Sequence, residues 1–257
     1  MKLQLDSALF ESYSDIKIGL FLMRGINNER RISDIESLLR GISAQRRRQF
    51  ETEIPANNDL IKVWDQTYGR FGVNPHKYPN PLMQLLEILK TGEIPHVDAL
   101  TDLCNYYSLK QLLPITSLDI DWLYGDLQLT YTKGEEAFRA KNTIDVERAL
   151  EGEVAYKDQG GIIRRYWNHK NCERTKPRKK TSNAIILIED ISRMHMDEFG
   201  GYMKEVQKGI IKYIGGMIEP HILTEENPSA DLQVDGRMHA NDSKIPQQEK
   251  IHFQQQH

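Results

Sequence analysis

Val154-Ala155-Tyr156-Lys157-Asp158-Gln159-Gly160-Gly161-Ile162-Ile163-Arg164-Arg165-Tyr166 decides how the second half of this chain is read. Two runs rich in β-favouring residues, Val154–Tyr156 and Ile162–Tyr166, flank Asp158-Gln159-Gly160-Gly161, a turn sequence, and that combination predicts a β-hairpin. Upstream, Leu127, Leu129 and Tyr131 alternate with polar neighbours at the period of a strand. Downstream, Ala184–Ile188 (AIILI) is short and apolar throughout, as expected of a central strand. Phe199, Met203, Val206, Ile210 and Ile214 then return at helical spacing, and Gly215–Gly216 stops that closing helix.

The first half reads differently. Ile16–Met23 is largely apolar and predicts a buried strand. Ser33-x-x-Glu36 fits a capping box, with Ile35, Leu38, Leu39 and Ile42 behind it at helical spacing. That helix is expected to run through Arg48, which places Arg46-Arg47-Arg48 where cations suit the helix dipole. A second helix is expected near Asn58–Phe71. Gly72–Pro81 holds three prolines and excludes regular structure. Pro81 opens a helix with Leu82, Leu85, Leu86 and Leu89 on one face, closed by Gly92. A further helix follows near Asp98–Ser108. The sum is an α+β fold, a mixed or antiparallel sheet with helices packed on it. Residues 1–72 are expected to form the strand-and-helix part of one compact unit, and 73–220 its main domain. Residues 221–257 carry Phe253 as their one aromatic residue and a Gln-rich end, the composition of a disordered tail.

The 257 residues carry a net charge of −3, so the molecule as a whole is not a basic nucleic-acid binder. Local patches would have to hold a phosphate backbone, and the densest is Arg174-Lys176-Arg178-Lys179-Lys180. Cys104 and Cys172 are far apart and form no C-x-x-C, which indicates neither a disulfide framework nor a zinc site. Met1–Tyr13 carries Lys2, Asp6 and Glu11 and has no apolar signal core, and no apolar run approaches the length of a bilayer. A cytoplasmic location is expected, with no membrane or DNA partner, and neither a metal nor a cofactor is called for.

An ordered series of short motifs carries a resemblance. Ile94-Pro95-His96-Val97-Asp98-Ala99-Leu100-Thr101-Asp102-Leu103-Cys104-Asn105-Tyr106 leads to Ser108-Leu109, Leu113-Pro114-Ile115, Leu118-Asp119, Gly125-Asp126 and Gly134-Glu135-Glu136. Gly161-Ile162-Ile163, Thr175, Thr181-Ser182-Asn183-Ala184 and Ile188-Glu189 follow in order. Over roughly residues 75–215 this resembles the tRNA-editing domain in the beta chain of phenylalanyl-tRNA synthetase, the B-three/B-four domain. Trp167-Asn168 with Arg174-Thr175 look more like its stand-alone relatives. The chain is too short to hold a complete tRNA ligase. The resemblance implies an ester hydrolase, an aminoacyl-tRNA deacylase acting in trans on mischarged tRNA. It also implies that Glu189 reads the polar end of the wrong amino acid. The family's histidine after the proline is absent here, and Thr116 stands at its position.

An aminoacyl ester is already activated, so its hydrolysis needs a held water, a donor to the developing oxyanion and a pocket, not a strong nucleophile. Thr116, Asn168 and Thr175 are the candidate catalytic groups. Asn105, Ser108, Asp119, Trp167, Arg174 and Glu189 are the candidate substrate contacts. Arg165, Lys176, Arg178, Lys179 and Lys180 are the candidate tRNA contacts. Each has a plainer alternative: a turn hydroxyl for Thr116, a turn cap for Asp119, a core residue for Trp167, a salt bridge for Glu189, a solvated loop for the basic run. His169 and Cys172, three residues apart in a loop, offer no nucleophile geometry. Two further functions stay open: a tRNA-binding module that does not cleave, and a protein that binds a small amino-acid derivative. All the site readings assume that the Asn105 region, the Trp167–Thr175 loop and Glu189 share one cavity.

Overall fold

The structure, a computed structural model, describes residues 1–29, 32–140 and 142–232. Its strands are β1 (Lys2–Leu5), β2 (Lys17–Arg24), β3 (Ile115–Asp119), β4 (Leu127–Lys133), β5 (Ala137–Arg139), β6 (Val146–Arg148), β7 (Glu151–Asp158), β8 (Gly161–Arg165), β9 (Lys170–Asn171), β10 (Ala184–Asp190), β11 (Met217–Leu223) and β12 (Ser229–Asp231). Its α-helices are α1 (Ser7–Ser12), α2 (Ser33–Thr52), α3 (Asp59–Arg70), α4 (Pro81–Thr91), α5 (Ala99–Gln111) and α6 (Met196–Tyr213). No described helix is long and apolar enough to cross a membrane.

One sheet has the order β12-β1-β4-β7-β8-β9, mixed because β1 runs parallel to β4. A second, antiparallel sheet has the order β11-β2-β10-β3. A β5–β6 ribbon is a separate pair packed against β8, with Phe138 in the main core. The central strand β10 explains the layering. Successive strand residues point to opposite faces, so Ile185 and Leu187 join the core shared with Leu127, Leu129, Val154 and Tyr156 of the other sheet. Ala184, Ile186 and Ile188 join a second core beneath α5 and α6. A third apolar cluster ties α2 and α3 to α4 and α5. The predicted α+β class, with helices packed on mixed and antiparallel sheets, is what the chain forms.

The hairpin read from residues 154–166 is β7–β8, with Asp158 opposite Gly161. Gly161 has φ +114°, and a Cβ there would meet the Ala137 carbonyl oxygen at 2.8 Å, so glycine is required. The helices expected from Asn58, Pro81 and Asp98 all form, and Asn58, Asn80 and Asp98 each accept a backbone N–H at the N-terminus.

Two expectations are corrected. Among the described residues no side-chain cap closes the N-terminus of α2, and the helix continues to Thr52, one turn past the arginine triplet. Arg46 instead donates to the carbonyls of Leu109 (2.7 Å) and Lys110 (2.8 Å), and Arg47 to those of Leu89 (3.1 Å) and Gly92 (2.7 Å). The cations therefore satisfy the C-terminal ends of α5 and α4, not that of their own helix. The tail expected to be disordered from 221 is ordered to 232: β11 pairs with β2 and β12 with β1. Composition undervalued it because an edge strand draws its hydrogen bonds from a neighbour far away in sequence. The remainder of that tail, with His239, His252 and His257, lies outside the described residues.

Candidate functional site: a buried carboxylate–guanidinium centre

The alternation that sends Ile185 and Leu187 between the sheets sends Glu189 there too, and it is 0% exposed. Tyr156 and Arg164 sit opposite each other in the β7–β8 register and therefore share a face. The Tyr156 hydroxyl donates to Glu189 Oε1 at 2.7 Å. The Trp167 indole N–H donates to the same oxygen at 3.0 Å. The Asn168 amide donates to Oε2 at 2.7 Å. Tyr68, on α3, donates to Asn168 Oδ1 at 2.6 Å and so fixes which way that amide points. Burial pushes the Glu189 carboxyl above its ordinary value, while Arg164 and the three donors pull it back. Burial and the adjacent charge of Glu189 raise the hydroxyls of Tyr68 and Tyr156 well above their ordinary value, which keeps both as donors.

Arg164 is also 0% exposed. Its Nη1 donates to Thr116 Oγ1 at 2.5 Å and its Nη2 to the Ser117 carbonyl at 3.1 Å. Among the described residues its Nε has no hydrogen-bond partner, and neither does Oδ1 of Asn171, the residue opposite Arg164 in the β8–β9 register. A donor and an acceptor, both buried and both unmet, thus stand on one face of the sheet, which is costly unless something occupies them. Thr116, Ser117 and Asn171 are half-buried, so this end of the centre reaches the surface. Because the Thr116 oxygen accepts from Arg164, its hydroxyl proton is free to donate elsewhere.

The turn that delivers Trp167 is strained. Tyr166 and Trp167 have φ of 50° and 61°, a conformation that costs about 1–3 kcal/mol for each residue. The Trp167 N–H donates to the Val154 carbonyl at 2.5 Å, and its ring meets Tyr13 and Trp64 edge-on at 5.3 and 5.4 Å. These contacts hold the indole under the sheet and aim its N–H at Glu189.

The assumption of one cavity needs correcting. Trp167, Asn168 and Glu189 do converge, but their side chains fill the space between them. α5 lies across the four-stranded sheet from this centre, so Asn105 and Ser108 stand apart from it. Ser108 is buried and donates to the Leu113 carbonyl at 2.6 Å. Trp167 is a core residue and presents no face to a base. Asp119 caps its turn, accepting from the Asp121 N–H (3.1 Å) and from the Thr181 hydroxyl (2.6 Å). The fully buried Thr175 sits 3.3 Å from Cys172 Sγ, and its carbonyl accepts the Asp119 N–H. Arg174 is paired to Asp158 at 2.7 and 2.9 Å and lies 4.3 Å from the Tyr124 ring centre.

Arg165 clamps the buried Glu153 and also binds Glu147, so it is not free for phosphate. Lys176 pairs with Glu173 at 2.5 Å. Arg178, Lys179 and Lys180 are exposed, as a phosphate contact requires. Reading the sequence residue by residue missed Arg164, Tyr156, Tyr68 and Asn171. Three of these follow only from strand register, and Tyr68 reads locally as one more helix-core residue.

Two hollows lie elsewhere. One of about 700 Å³ is lined by α2, α5 and Tyr213, and one of about 470 Å³ by α2 and the segment before α5. The second contains His96, whose Nδ1 is 2.5 Å from the buried Asp102 carboxylate. No described group of three His, Cys, Asp or Glu side chains is placed to hold a metal ion.

Two packed sheets around an internal carboxylate–guanidinium centre, under a helical cap, define an α+β domain whose polar chemistry is built inward from the strands. The family model described as the B3/4 domain matches residues 63–197, more than half of the chain, and the chain belongs to that family. Every residue of the buried centre falls inside this span, from Tyr68 to Glu189. Among solved structures, an N-terminal fragment of the phenylalanyl-tRNA synthetase beta-subunit from Pyrococcus horikoshii is similar, with 9% identity and a TM-score of 0.42. The similarity covers 84% of this chain and 49% of that one, so this chain spans about half the length of the fragment. No curated protein matches the chain.

Proposed function

We propose that the protein acts in trans on aminoacylated tRNA and hydrolyses its ester at the open end of the Arg164 centre. Membership of the B3/4 family supports the substrate class. The observation that carries the chemistry is the Arg164 Nε, a buried cationic donor with no partner among the described residues, beside a threonine hydroxyl that is free to donate. An ester carbonyl seated between Thr116, Ser117 and Asn171 would receive both donors, and both strengthen as the oxygen becomes an oxyanion. Asn171 Oδ1, the unmet acceptor, suits the α-ammonium of the aminoacyl group. Glu189 then works as a positioning residue. It holds Trp167 and Asn168 and balances the charge of Arg164 from within, rather than reading the side chain directly. The attacking nucleophile is water, and no cofactor enters.

The test is a panel of mischarged tRNAs. The protein is expected to release amino acid from at least one pair. Thr116→Ala is expected to slow release about 100-fold, the usual effect of removing one oxyanion donor, and Thr116→Ser, which keeps the oxygen that accepts from Arg164, to restore most of the rate. A panel that stays fully charged at high protein concentration would sink hydrolysis. The closed Glu189 centre supports a second reading, that the chain grips aminoacyl-tRNA without cleaving it. Binding of charged tRNA with no release would select that reading.

A further inference from the structure

Trp122 is the one described tryptophan that faces solvent. It is 47% exposed, whereas Trp64 and Trp167 are 1% and 0% exposed. An exposed indole on a loop is usually mobile, yet this one is anchored. It ends the short 3₁₀ turn Ile120–Trp122, which Asp119 caps. Arg174 Nη1 donates to its carbonyl at 2.5 Å, and Arg174 is itself locked to Asp158.

The basic run lies against the same ring. The Arg178 guanidinium is 5.9 Å from the indole centre. Its direction is set by the carbonyls of Glu173 and Lys176, both at 3.2 Å. The Arg178 carbonyl receives the buried Asn28 amide at 2.9 Å, and its N–H donates to Thr181 Oγ1 at 2.8 Å. Thr181 in turn donates to Asp119, the cap of the tryptophan turn. The aromatic face and the cationic loop are therefore one rigid unit. Lys179 and Lys180 project from it exposed, and of the neighbouring carboxylates Glu173 offsets Lys176 and Arg178, not these two.

A fixed aromatic face beside exposed cations is the chemistry that binds single-stranded nucleic acid, by base stacking together with phosphate contacts. We infer that Trp122, Arg178, Lys179 and Lys180 form a docking platform for the single-stranded end of an RNA, with a base stacked on Trp122. The inference rests on the reading above, that the ligand is a tRNA, and adds which surface takes its end. The placement is consistent with that use. β3 leads from Thr116 to Asp119 over about 10 Å, and the turn carrying Trp122 follows at once, so platform and candidate ester site lie along one strand.

The experiment titrates the full chain with a single-stranded RNA of about eight nucleotides. Intrinsic fluorescence is one readout, and the anisotropy of labelled RNA is the other. Because Trp64 and Trp167 are buried, stacking should quench only the solvent-quenchable part of the emission, and Trp122→Phe should abolish that quench. Trp122→Ala should weaken binding about fivefold or more, and Trp122→Tyr should restore most of it. With Lys179 and Lys180 engaged, log K against log salt should fall with a slope of about −1.4, and Lys179→Ala with Lys180→Ala should leave it nearly flat.

No binding at low salt, or unchanged affinity in Trp122→Ala, overturns the platform. So does blunt duplex RNA binding as tightly as the single strand. RNA binding of this kind without any deacylation would support the platform and remove hydrolysis. Deacylation that survives while Trp122→Ala binds normally would remove the platform and keep the enzyme.

Discussion

Glu189 shows how one carboxylate can be well satisfied and still be costly. Three side-chain donors reach it, but burial outweighs them, and its carboxyl lies above the ordinary 4.5. A carboxyl raised on folding contributes stability that is fully present below its unfolded value and is lost as pH rises through its folded value. Glu189→Gln removes this titration. Wild-type stability relative to the Gln variant should therefore fall as pH climbs from 4 through the region above 4.5, read from urea midpoints at several pH values. A difference that stays flat with pH would show that Glu189 is not the raised group. Glu189→Ala is harsher, because it strands the Arg164 cation and three donors in the core. It should cost about 3–5 kcal/mol. The sequence marked Glu189 as a polar residue ending an apolar strand. It could not say that Tyr156, Trp167 and Asn168 would close around it, because those contacts cross between two sheets.

Among the elements, α2 corrects a habit of reading cations locally. Its hydrophobic spacing was plain in the sequence, and the helix forms. Its arginines, read as partners of their own dipole, finish the carbonyl ends of α4 and α5 instead. Arg46 is half-buried, and burial lowers its guanidinium from its usual range. Replacing it should leave the Leu109 and Lys110 carbonyls unmet. Arg46→Ala is expected to lose about 1–3 kcal/mol in chemical denaturation, and Arg46→Lys to recover only part, since an ammonium lacks the planar fork. Full recovery by lysine would mean that charge alone matters there. The β7–β8 hairpin was legible down to its turn, because turn chemistry is local. The opposite fates of Arg164 and Arg165 were legible only as alternation. That one braces Thr116 and the other clamps Glu153 depends on what each face meets.

For the molecule as a whole, the C-terminal strands matter more than their composition suggested. β11 extends one sheet along β2 and β12 extends the other along β1. Leu223, Ala230 and Leu232 are buried. A chain ending at Gly216 would expose an edge of each sheet and uncover part of the shared core. It should lose cooperative unfolding and aggregate, as followed by circular dichroism and light scattering. A soluble, cooperatively folding product would show that these strands are ornamental. Pro220 within β11 helped hide the strand, because proline argues against a central strand but is tolerated at a sheet edge.

The sequence by itself determined the α+β class, the positions of the principal helices, the β7–β8 hairpin, the central place of AIILI and the family resemblance. All of these depend on periodicity, turn residues and motif order, which are local or ordered along the chain. Only the tertiary structure decided that Trp167, Asn168 and Glu189 brace one another, that Arg164 and Asn171 each keep an unmet polar atom on one face of the sheet, and that Trp122 rather than Trp167 faces solvent. Burial and hydrogen-bond partnership are fixed by strand register and sheet packing between segments tens of residues apart. A one-residue change of register would exchange which arginine faces Thr116 and which faces Glu153.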